Sequence, residues 1–227
     1  MNSSNTLILI PTLNEEQAIG KVIDEIQEYT PSNKLLIIDS YSTDKTATTA
    51  WEKGARVIYA PRGGKGKALR TTLPNILITY QASQLFIMLD GDYTYPAKYI
   101  KDIIVALQKS DVVVGYRQKL EAGSMPLANR MGNKGLSLIA SILYQKKIKD
   151  LCSGMWGFRR SALSKFKLTS NGFTLEADLF INTVKNKLRL AQVPIEYRPR
   201  LEGSKAKLRL IDGLKIGWFL LRKRFSD

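Results

Sequence analysis

The chain has 227 residues, of which 44% are hydrophobic, and this is typical of one folded domain with a full-sized core rather than of a disordered chain. It contains a single cysteine, Cys152, and no histidine, which excludes an intramolecular disulfide, a Cys–His nucleophile, a histidine base and a common zinc site. Its net charge of +15 is uneven, because residues 1–116 hold 12 basic and 12 acidic residues whereas residues 117–227 hold 23 and 8.

The first half of the chain alternates short apolar strands with amphipathic helices. Apolar runs predict strands at residues 7–10, 35–38, 56–59, 85–89 and 112–114. Apolar residues at helical spacing predict helices at residues 19–26, 44–53, 65–80 and 96–107. This alternation is typical of an α/β fold with a parallel, doubly wound sheet.

The second half is richer in helix and in basic residues. We predict helices at residues 126–144 and 174–186, and a strand at residues 193–197 that leads into a basic loop. At the end of the chain, apolar residues recur at helical spacing and three cations follow, which predicts an amphipathic helix over residues 208–227. Such a helix either lies in a membrane interface or docks on the protein's own core.

We expect the chain not to cross a membrane by itself. The longest apolar run near the C-terminus covers residues 216–221, whereas a spanning helix needs about 20 residues. Residues 1–5 carry no positive charge, so we also expect no signal peptide. The basic second half indicates nucleic acid, an anionic bilayer surface or a phosphate-bearing acceptor as its partner, unless it is a solvated surface without a partner.

Polar residues follow each of the first four predicted strands, and a parallel sheet brings such strand ends to one edge. Asp90 and Asp92 follow the fourth strand, where they form either a polar turn or a pair of oxygen ligands for a divalent metal. Gly64, Lys65 and Gly66 follow the third strand, where glycine lets the backbone approach a phosphate and lysine adds charge. Together with the polar residues after the first two strands, these groups predict a nucleotide-diphosphate site.

The order of these motifs resembles that of the family 2 glycosyltransferases of the GT-A fold. The motifs that carry this resemblance are Ile10-Pro11-Thr12-Leu13-Asn14-Glu15-Glu16, Asp39 with Ser42-Thr43-Asp44, Gly64-Lys65-Gly66 and Asp90-Gly91-Asp92. Later segments resemble the polyprenyl-phosphate (dolichyl-phosphate) branch, and most closely its archaeal sugar transferases. These segments are Asn129-Arg130-Met131-Gly132-Asn133, Ser153-Gly154-Met155-Trp156-Gly157-Phe158, Gly172-Phe173-Thr174-Leu175-Glu176-Ala177-Asp178, Val193-Pro194-Ile195-Glu196-Tyr197-Arg198 and Gly203-Ser204-Lys205.

The resemblance implies an α/β fold of the GT-A (Rossmann-like) type, with a mostly parallel sheet flanked by helices and a C-terminal amphipathic helix. Residues 1–207 would form the glycosyltransferase domain, with a nucleotide-binding half at residues 1–116 and an acceptor half at residues 117–207. Residues 208–227 would form the amphipathic, membrane-interfacial or core-docked helix.

The resemblance also implies roles for individual residues. The nucleotide pocket would be lined by Pro11, Asn14, Glu15, Asp39, Lys65 and Asp90. A Mg²⁺ or Mn²⁺ ion would be held by Asp90 and Asp92. The acceptor phosphate or the diphosphate would face Arg117, Arg130, Arg200, Ser204 and Lys205. The catalytic residues would be Asp92, Arg117 and Arg130.

Two positions depart from the family pattern. Ser40 stands where the family usually has a second Asp directly after Asp39. Thr94 stands where some relatives have a Gln that serves as a further metal ligand, which weakens the expectation of a third protein ligand. Many relatives also carry C-terminal membrane spans, which we do not expect here.

The implied activity is the transfer of a sugar from a nucleotide diphosphate sugar to a polyprenyl (dolichyl) phosphate, with inversion at the anomeric carbon. UDP-glucose or UDP-N-acetylglucosamine is the favoured donor and GDP-mannose the second choice. A lipid monophosphate is anionic at neutral pH, so no general base is required, which suits a chain without histidine. We expect a peripheral protein on the anionic surface of the cytoplasmic face of the cell membrane, without nucleic acid as a partner.

Three other interpretations compete with this one. A sugar-1-phosphate nucleotidyltransferase would need a Gly-rich, Arg-containing loop after the first strand, where residues 11–16 have neither. A basic nucleic-acid-binding protein would explain the charge but neither the neutral first half nor the Asp90–Asp92 pair. A polysaccharide synthase would usually show a Gln-x-x-Arg-Trp signature, which is missing.

Overall fold

The structure, a computed structural model, describes residues 5–204 and 210–226. The strands are β1 (Thr6–Thr12), β2 (Leu35–Asp39), β3 (Arg56–Tyr59), β4 (Leu85–Met88), β5 (Val112–Leu120), β6 (Trp156–Arg159) and β7 (Leu190–Tyr197). The helices are α1 (Ile19–Gln27), α2 (Thr46–Glu52), α3 (Lys65–Thr79), α4 (Ile100–Ala106), α5 (Leu127–Tyr144), α6 (Arg160–Leu163), α7 (Leu175–Lys185) and α8 (Leu210–Phe225). The strands and longer helices predicted from apolar spacing are all present, with ends that differ by up to four residues, except that β5 continues six residues past its predicted end.

All seven strands form one sheet, in the order β3-β2-β1-β4-β6-β5-β7. β1 pairs in parallel with β2 and β4, β2 with β3, and β5 with β7, whereas β6 runs antiparallel between β4 and β5. The predicted fold, a mostly parallel α/β sheet flanked by helices, is therefore confirmed. The sequence patterns missed β6, because four residues beside a Gly-rich segment show no period that separates a strand from a turn.

The core lies on both faces of the sheet, because the side chains of a strand point alternately to its two sides. In β1, Leu7 and Leu9 pack in the layer that contains α3, α5 and α7, whereas Ile8 and Ile10 pack in the layer that contains α1 and α4. With both faces covered, the inner strands are fully buried, and the polar residues that follow them lie at the strand ends, where parallel sheets place their sites.

The predicted boundary at residues 116 and 117 falls inside β5, which belongs to the same sheet as the strands of the first half. The division into a nucleotide-binding half and an acceptor half stays a prediction about chemistry.

The C-terminal helix α8 docks on the protein through one side. Ile216 and Leu220 of α8 are buried, and the Tyr144 hydroxyl at the end of α5 donates a 2.9 Å hydrogen bond to the Leu220 carbonyl. Among the helices of residues 5–204 and 210–226, none combines the length and hydropathy needed to span a membrane.

Candidate active site

Asp39 joins the ends of the two neighbouring strands β1 and β2. Its side chain is fully buried, and its Oδ1 accepts a 2.8 Å hydrogen bond from the Ser42 backbone N–H. Its Oδ2 accepts hydrogen bonds from the hydroxyls of Ser42 at 2.5 Å and Thr12 at 3.2 Å. These contacts fix the direction in which the carboxylate faces at the sheet edge.

The loops after β1 and β2 are tied together by side chain to backbone hydrogen bonds. Asn14 lies in the left-handed region with φ 51°, and its Oδ1 accepts a 2.8 Å hydrogen bond from the Thr43 N–H. The Asn14 N–H donates to the Ser42 hydroxyl at 2.9 Å, and the Glu15 N–H donates to the Thr46 hydroxyl at 2.7 Å. The predicted nucleotide-binding residues Asn14, Glu15 and Asp39 therefore lie in one connected unit, and Pro11 lies in β1 opposite Ile38.

Lys65 connects three elements of the site. It is the first residue of α3, and its Nζ lies 2.5 Å from Asp90 Oδ1 after β4 and 2.6 Å from Glu176 Oε1 on α7. Burial disfavours the lysine cation, but the carboxylates of Asp90 and Glu176 outweigh it and hold the pKa of Lys65 well above its usual value. The cation of Lys65 is therefore permanent, and it lies at the N-terminus of a 15-residue helix.

The turn before α3 requires glycine. Gly64 has φ 86°, and a side chain there would run into the backbone of Gly172, whose N–H donates a 3.0 Å hydrogen bond to the Gly63 carbonyl. The turn thus holds the N-terminus of α3 against the segment that precedes α7, which carries Glu176.

Asp90 is confined on two sides. Lys65 holds one of its oxygens, and its other oxygen lies so close to the Gly154 backbone that a Cβ at position 154 would collide with it. Burial acts to raise the pKa of Asp90, but Lys65, supported by Arg200 and Arg117, keeps it below the usual range.

Asp92 is almost fully buried and lies between a threonine and an arginine. Its Oδ1 accepts hydrogen bonds from the Thr94 hydroxyl at 2.6 Å and the Thr94 N–H at 3.1 Å, and its Oδ2 lies 2.6 Å from Arg200 Nη2. Burial, and next the charge of Asp90, raises the pKa of Asp92 despite the nearby arginine. An additional cation next to Asp92 would therefore favour the ionised form of its carboxyl group.

These residues fit a divalent metal. Asp90 and Asp92 offer hard oxygen ligands, and the pKa of Asp92 is raised by burial and next by the charge of Asp90, both of which a bound cation would offset. In the part of the chain that the structure describes, no three Cys, Asp or Glu side chains converge on a common metal position. A metal on this pair would therefore complete its shell with phosphate oxygens and water, as Mg²⁺ commonly does.

Arg117 is held rigidly by a residue that the sequence analysis did not identify. Its Nε and Nη2 each donate a 2.7 Å hydrogen bond to the Asp150 carboxylate, and its backbone N–H donates a third at 2.9 Å. Asn133 Nδ2 donates another at 2.8 Å, and the guanidinium lies 5.0 Å from the centre of the Tyr197 ring. Burial acts to raise the pKa of Asp150, but Arg117 outweighs it and lowers the pKa below the usual range.

A basic cavity lies beside this ion pair. Its volume is about 170 Å³, and its lining includes Arg117, Arg130, Lys134, Lys149 and Asp150. Four of these five charged side chains are cations, and the one anion is bound to Arg117. The cavity therefore offers an anion several positive charges in a space larger than the roughly 30 Å³ of one water molecule.

The loop after β7 covers the carboxylate end of the site. Arg200 lies against Asp92, and the Ser204 hydroxyl lies 3.4 Å from Glu15 Oε2. The structure thus brings Arg200 to Asp92 and Ser204 to Glu15, whereas Arg117 and Arg130 line the basic cavity. Lys205, the remaining residue of the predicted acceptor group, lies outside the described residues.

Three residues that support the site were not predicted from the sequence. They are Glu176, Asp150 and Gly154. Glu176 and Gly154 belong to motifs that carried the family resemblance, but their contacts with Lys65 and Asp90 join residues more than 60 positions apart in the chain. Asp150 follows a run of lysines, where a lone acid looks like a solvated charge.

Comparison with known proteins identifies relatives of the chain. A family model described as Glycosyl transferase family 2 matches residues 7–166. The glycosyltransferase AglJ of Haloferax volcanii is 33% identical over 203 residues, which cover 88% of this chain and 65% of AglJ, just under two thirds of its length. The dolichyl-phosphate hexose transferase of the same organism is 32% identical over 199 residues, which cover 87% of this chain and 85% of that protein.

A solved structure supports the fold. The glucosyl-3-phosphoglycerate synthase of Mycobacterium tuberculosis, in complex with Mn²⁺ and UDP-glucose, superimposes with a TM-score of 0.73 at 21% identity. The match covers 98% of this chain and 78% of that one. At 21% identity, this similarity is evidence for the fold alone.

Proposed function

The chain belongs to glycosyl transferase family 2 and is a glycosyltransferase, and within this family we propose that it transfers a sugar from a nucleotide diphosphate sugar to a polyprenyl (dolichyl) phosphate. One observation carries the proposal: the Asp90–Asp92 pair lies beside Lys65 and Arg200, and Asp90 is also within the field of Arg117, which lines a cavity rich in cations. Two anionic substrates need such an arrangement, with carboxylates for a metal diphosphate and cations for a phosphate acceptor. The family favours this reaction over nucleotidyl transfer.

On the donor side, the unit formed by the loops after β1 and β2 would bind the nucleoside. Asp39, with Pro11, Asn14 and Glu15, would bind a base or a ribose hydroxyl once the nucleotide displaces part of its contacts with Ser42 and Thr12. Lys65 would contact the diphosphate, and Asp90 the ribose or the metal. Mg²⁺ or Mn²⁺ on Asp90 and Asp92 would neutralise the charge that develops on the leaving diphosphate.

On the acceptor side, cations would position the lipid phosphate. Arg117 and Arg130 line the cavity, and Arg200 and Ser204, with Lys205, would close over the diphosphate. Arg117 keeps its place through Asp150, so it offers a fixed positive field without reorganisation during the reaction. In this scheme Asp92, Arg117 and Arg130 are the catalytic residues.

The acceptor phosphate would itself be the nucleophile. Its second pKa is about 6, so at neutral pH it is an anion and needs no base. Its oxygen would form the new bond to the anomeric carbon as the bond to the nucleotide diphosphate breaks, and one in-line displacement inverts that centre. The cationic residues then serve to hold two anions together against their repulsion.

The acceptor also suggests where the protein works. The dolichyl-phosphate hexose transferase of Haloferax volcanii is named for a lipid acceptor, and a lipid phosphate lies at a membrane surface. We propose a peripheral protein on the anionic cytoplasmic face of the cell membrane.

The proposal is tested with a short polyprenyl phosphate, Mg²⁺ or Mn²⁺, and UDP-glucose, UDP-N-acetylglucosamine and GDP-mannose in turn, with mass spectrometry of the lipid product. We expect one of the two UDP-sugars to give product before GDP-mannose does. We expect Asp92→Asn or EDTA to reduce transfer by at least about 10³-fold, and Asp24→Asn on the exposed side of α1 to leave it unchanged. No lipid product from any donor, or full activity in EDTA, would contradict the proposal.

A further inference from the structure

Helix α8 carries apolar side chains on the side that faces away from the protein. Ile211, Leu214, Trp218, Leu221 and Phe225 are spaced alternately by three and four residues, so they share one face of the helix. Their exposed fractions lie between 40% and 78%. The buried residues Asp212, Ile216 and Leu220 lie on the opposite face, so the docking of α8 on the core does not cover this stripe.

Helix α5 shows the same arrangement. Leu127, Met131, Leu138 and Ile142 lie on one face, with exposed fractions between 61% and 69%. The buried residues of α5 are Ser137, Ala140 and Tyr144, and they lie on the other side. Ten of the sixteen large apolar side chains that the described residues expose lie on α5 and α8, so the exposure is concentrated rather than scattered.

The two helices lie side by side and run in the same direction. Leu136 of α5 lies next to Gly217 of α8, and seven residues further along both helices Arg224 Nε donates a 2.8 Å hydrogen bond to the Leu143 carbonyl. Both stripes lie opposite the buried sides of their helices, so they share the outer side of this helix pair. We name the nine apolar side chains of the two stripes the α5–α8 face.

The charges around the α5–α8 face are almost all positive. The basic residues of the two helices are Arg130, Lys134, Lys215, Arg222, Lys223 and Arg224. The one acidic residue within the two helices, Asp212, is buried and lies 3.1 Å from Lys215. A second copy of the chain would place these cations against one another, whereas an anionic surface would neutralise them.

The cations at the end of α8 surround a cavity and crowd one another. Lys223 and Arg224, with Lys185 of α7, line a space of about 250 Å³ between the ends of α5, α7 and α8. Burial, and next the charge of Lys223, lowers the pKa of Lys185. These cations add positive charge at the end of α8, next to the α5–α8 face but on the docked side of the helix.

We propose that the α5–α8 face inserts its apolar side chains into the surface of an anionic bilayer. The preference for a bilayer over a protein partner rests in part on the proposed function, because a lipid acceptor lies in a bilayer. Apolar stripes bordered by cations are the pattern of helices that lie in a membrane interface.

The same orientation would bring the basic cavity to the headgroups. Arg130 and Lys134 of α5 line that cavity, while Leu127 and Met131 of the same helix lie on the α5–α8 face. A lipid phosphate could then enter the cavity while its isoprenoid chain stays in the bilayer.

Flotation of the full chain with vesicles tests this inference directly. The vesicles contain equal parts of phosphatidylglycerol and phosphatidylcholine, or phosphatidylcholine alone. We expect at least about tenfold stronger binding to the anionic vesicles, and at least a tenfold loss of that binding in Leu214→Ser/Trp218→Ser. The matched control Ile78→Ser/Val105→Ser removes two equally exposed apolar residues from α3 and α4 and should bind like the unaltered chain.

Unchanged vesicle binding in Leu214→Ser/Trp218→Ser would overturn the inference. The inference would also be overturned if the unaltered chain formed a dimer and did not bind vesicles, and Leu214→Ser/Trp218→Ser dissociated that dimer. The α5–α8 face would then be an interface between two copies of the chain. Circular dichroism of each variant shows that the fold is kept.

The acceptor assay separates this inference from the proposed function. We expect Leu214→Ser/Trp218→Ser to retain transfer to a short, water-soluble polyprenyl phosphate and to lose transfer to a long one in vesicles. An unaltered chain that binds vesicles but transfers to neither acceptor would contradict the proposed function and leave the membrane face standing.

Discussion

The loops that would bind the nucleoside and the cations that would face the phosphates are held in place by different forces. On the nucleotide side, hydrogen bonds among Asn14, Asp39 and Ser42 join the loops after β1 and β2. The phosphate-facing cations are instead held by ion pairs, Lys65 with Asp90 and Glu176, Arg117 with Asp150, and Arg200 with Asp92. The loops are thus formed before a ligand binds, whereas the cations are occupied by the protein's own carboxylates.

This difference has a functional consequence. Two parallel hydrogen bonds join Arg117 to Asp150, so the Arg117 guanidinium is held permanently in place. The Arg200–Asp92 pair joins a predicted phosphate ligand to a predicted metal ligand, so both partners must exchange this contact when substrates bind. Four predictions test the comparison, from the largest expected effect to the smallest.

The largest effect is expected from breaking the permanent pair. Asp150→Asn leaves the buried Arg117 guanidinium without its anion, and we expect a loss of about 3–5 kcal/mol in the free energy of unfolding. Chemical denaturation measures it. The control Asp24→Asn breaks the exposed Lys53–Asp24 pair and should cost less than about 1 kcal/mol. Equal losses in the two variants would show that burial does not distinguish these pairs.

The next largest effect is expected from disturbing the close contact between Gly154 and the Asp90 carboxylate. In Gly154→Ala the new Cβ displaces the Asp90 carboxylate, and we expect kcat to fall about 100-fold because a shift of about 1 Å at a reacting centre has that effect. The control Gly132→Ala lies in α5, where a Cβ meets nothing within 4 Å, and should keep its activity. Steady-state kinetics with saturating donor measure both, and unchanged kcat in Gly154→Ala would contradict the position of Asp90 at the reaction centre.

A smaller effect is expected in metal binding. Arg200→Gln removes the cation that lies 2.6 Å from Asp92, so we expect Mn²⁺ to bind about tenfold more tightly to the nucleotide-free protein, measured by calorimetry. Transfer should nevertheless decrease, because Arg200 would no longer contact the diphosphate. The neighbouring Arg198→Gln breaks a pair with Glu25 and should leave Mn²⁺ affinity unchanged. Weaker Mn²⁺ binding in Arg200→Gln would show that Arg200 organises the carboxylates instead of competing for them.

The smallest effect is expected in the pH dependence of stability. Because Arg117 lowers the pKa of Asp150, this carboxyl stabilises the fold above the unfolded pKa of about 4, and the contribution is lost as the pH falls through the lower folded pKa. Asp150→Asn should therefore lose less stability than the unaltered chain between pH 5 and pH 3, as measured by thermal unfolding. If the stability of Asp150→Asn and of the unaltered chain fell equally over this pH range, other carboxyl groups would be responsible for the loss in acid.

The sequence was sufficient for features that repeat along the chain. Periods of two and 3.6 residues located the parallel strands and the longer helices, and strand ends assigned Asp39, Lys65, Asp90 and Asp92 to the same edge of the sheet. Features that depend on one distant contact could not be found in this way. The partner of Lys65 on α7 is 111 residues away, and the acid that holds Arg117 is 33 residues away.

The amphipathic pattern of α8 shows a different kind of limit. Its apolar spacing predicted a helix with an apolar side, but the pattern left open whether that side meets the core or a membrane. In the structure α8 has apolar residues on two opposite sides, one of which docks on the core. The exposed stripe on α5 was not predicted, because only the docked structure shows which apolar residues of a helix stay uncovered.

The central claim is that the acceptor is a lipid phosphate held by cations, and its most direct test compares a short polyprenyl phosphate with the corresponding polyprenyl alcohol. Each is incubated with the unaltered protein, Mn²⁺ and a radiolabelled nucleotide sugar, and the lipid product is extracted and weighed by mass spectrometry. We predict a product with one sugar added to the polyprenyl phosphate and none from the alcohol. Sugar transfer to the alcohol, or equal transfer to both lipids, would contradict the account.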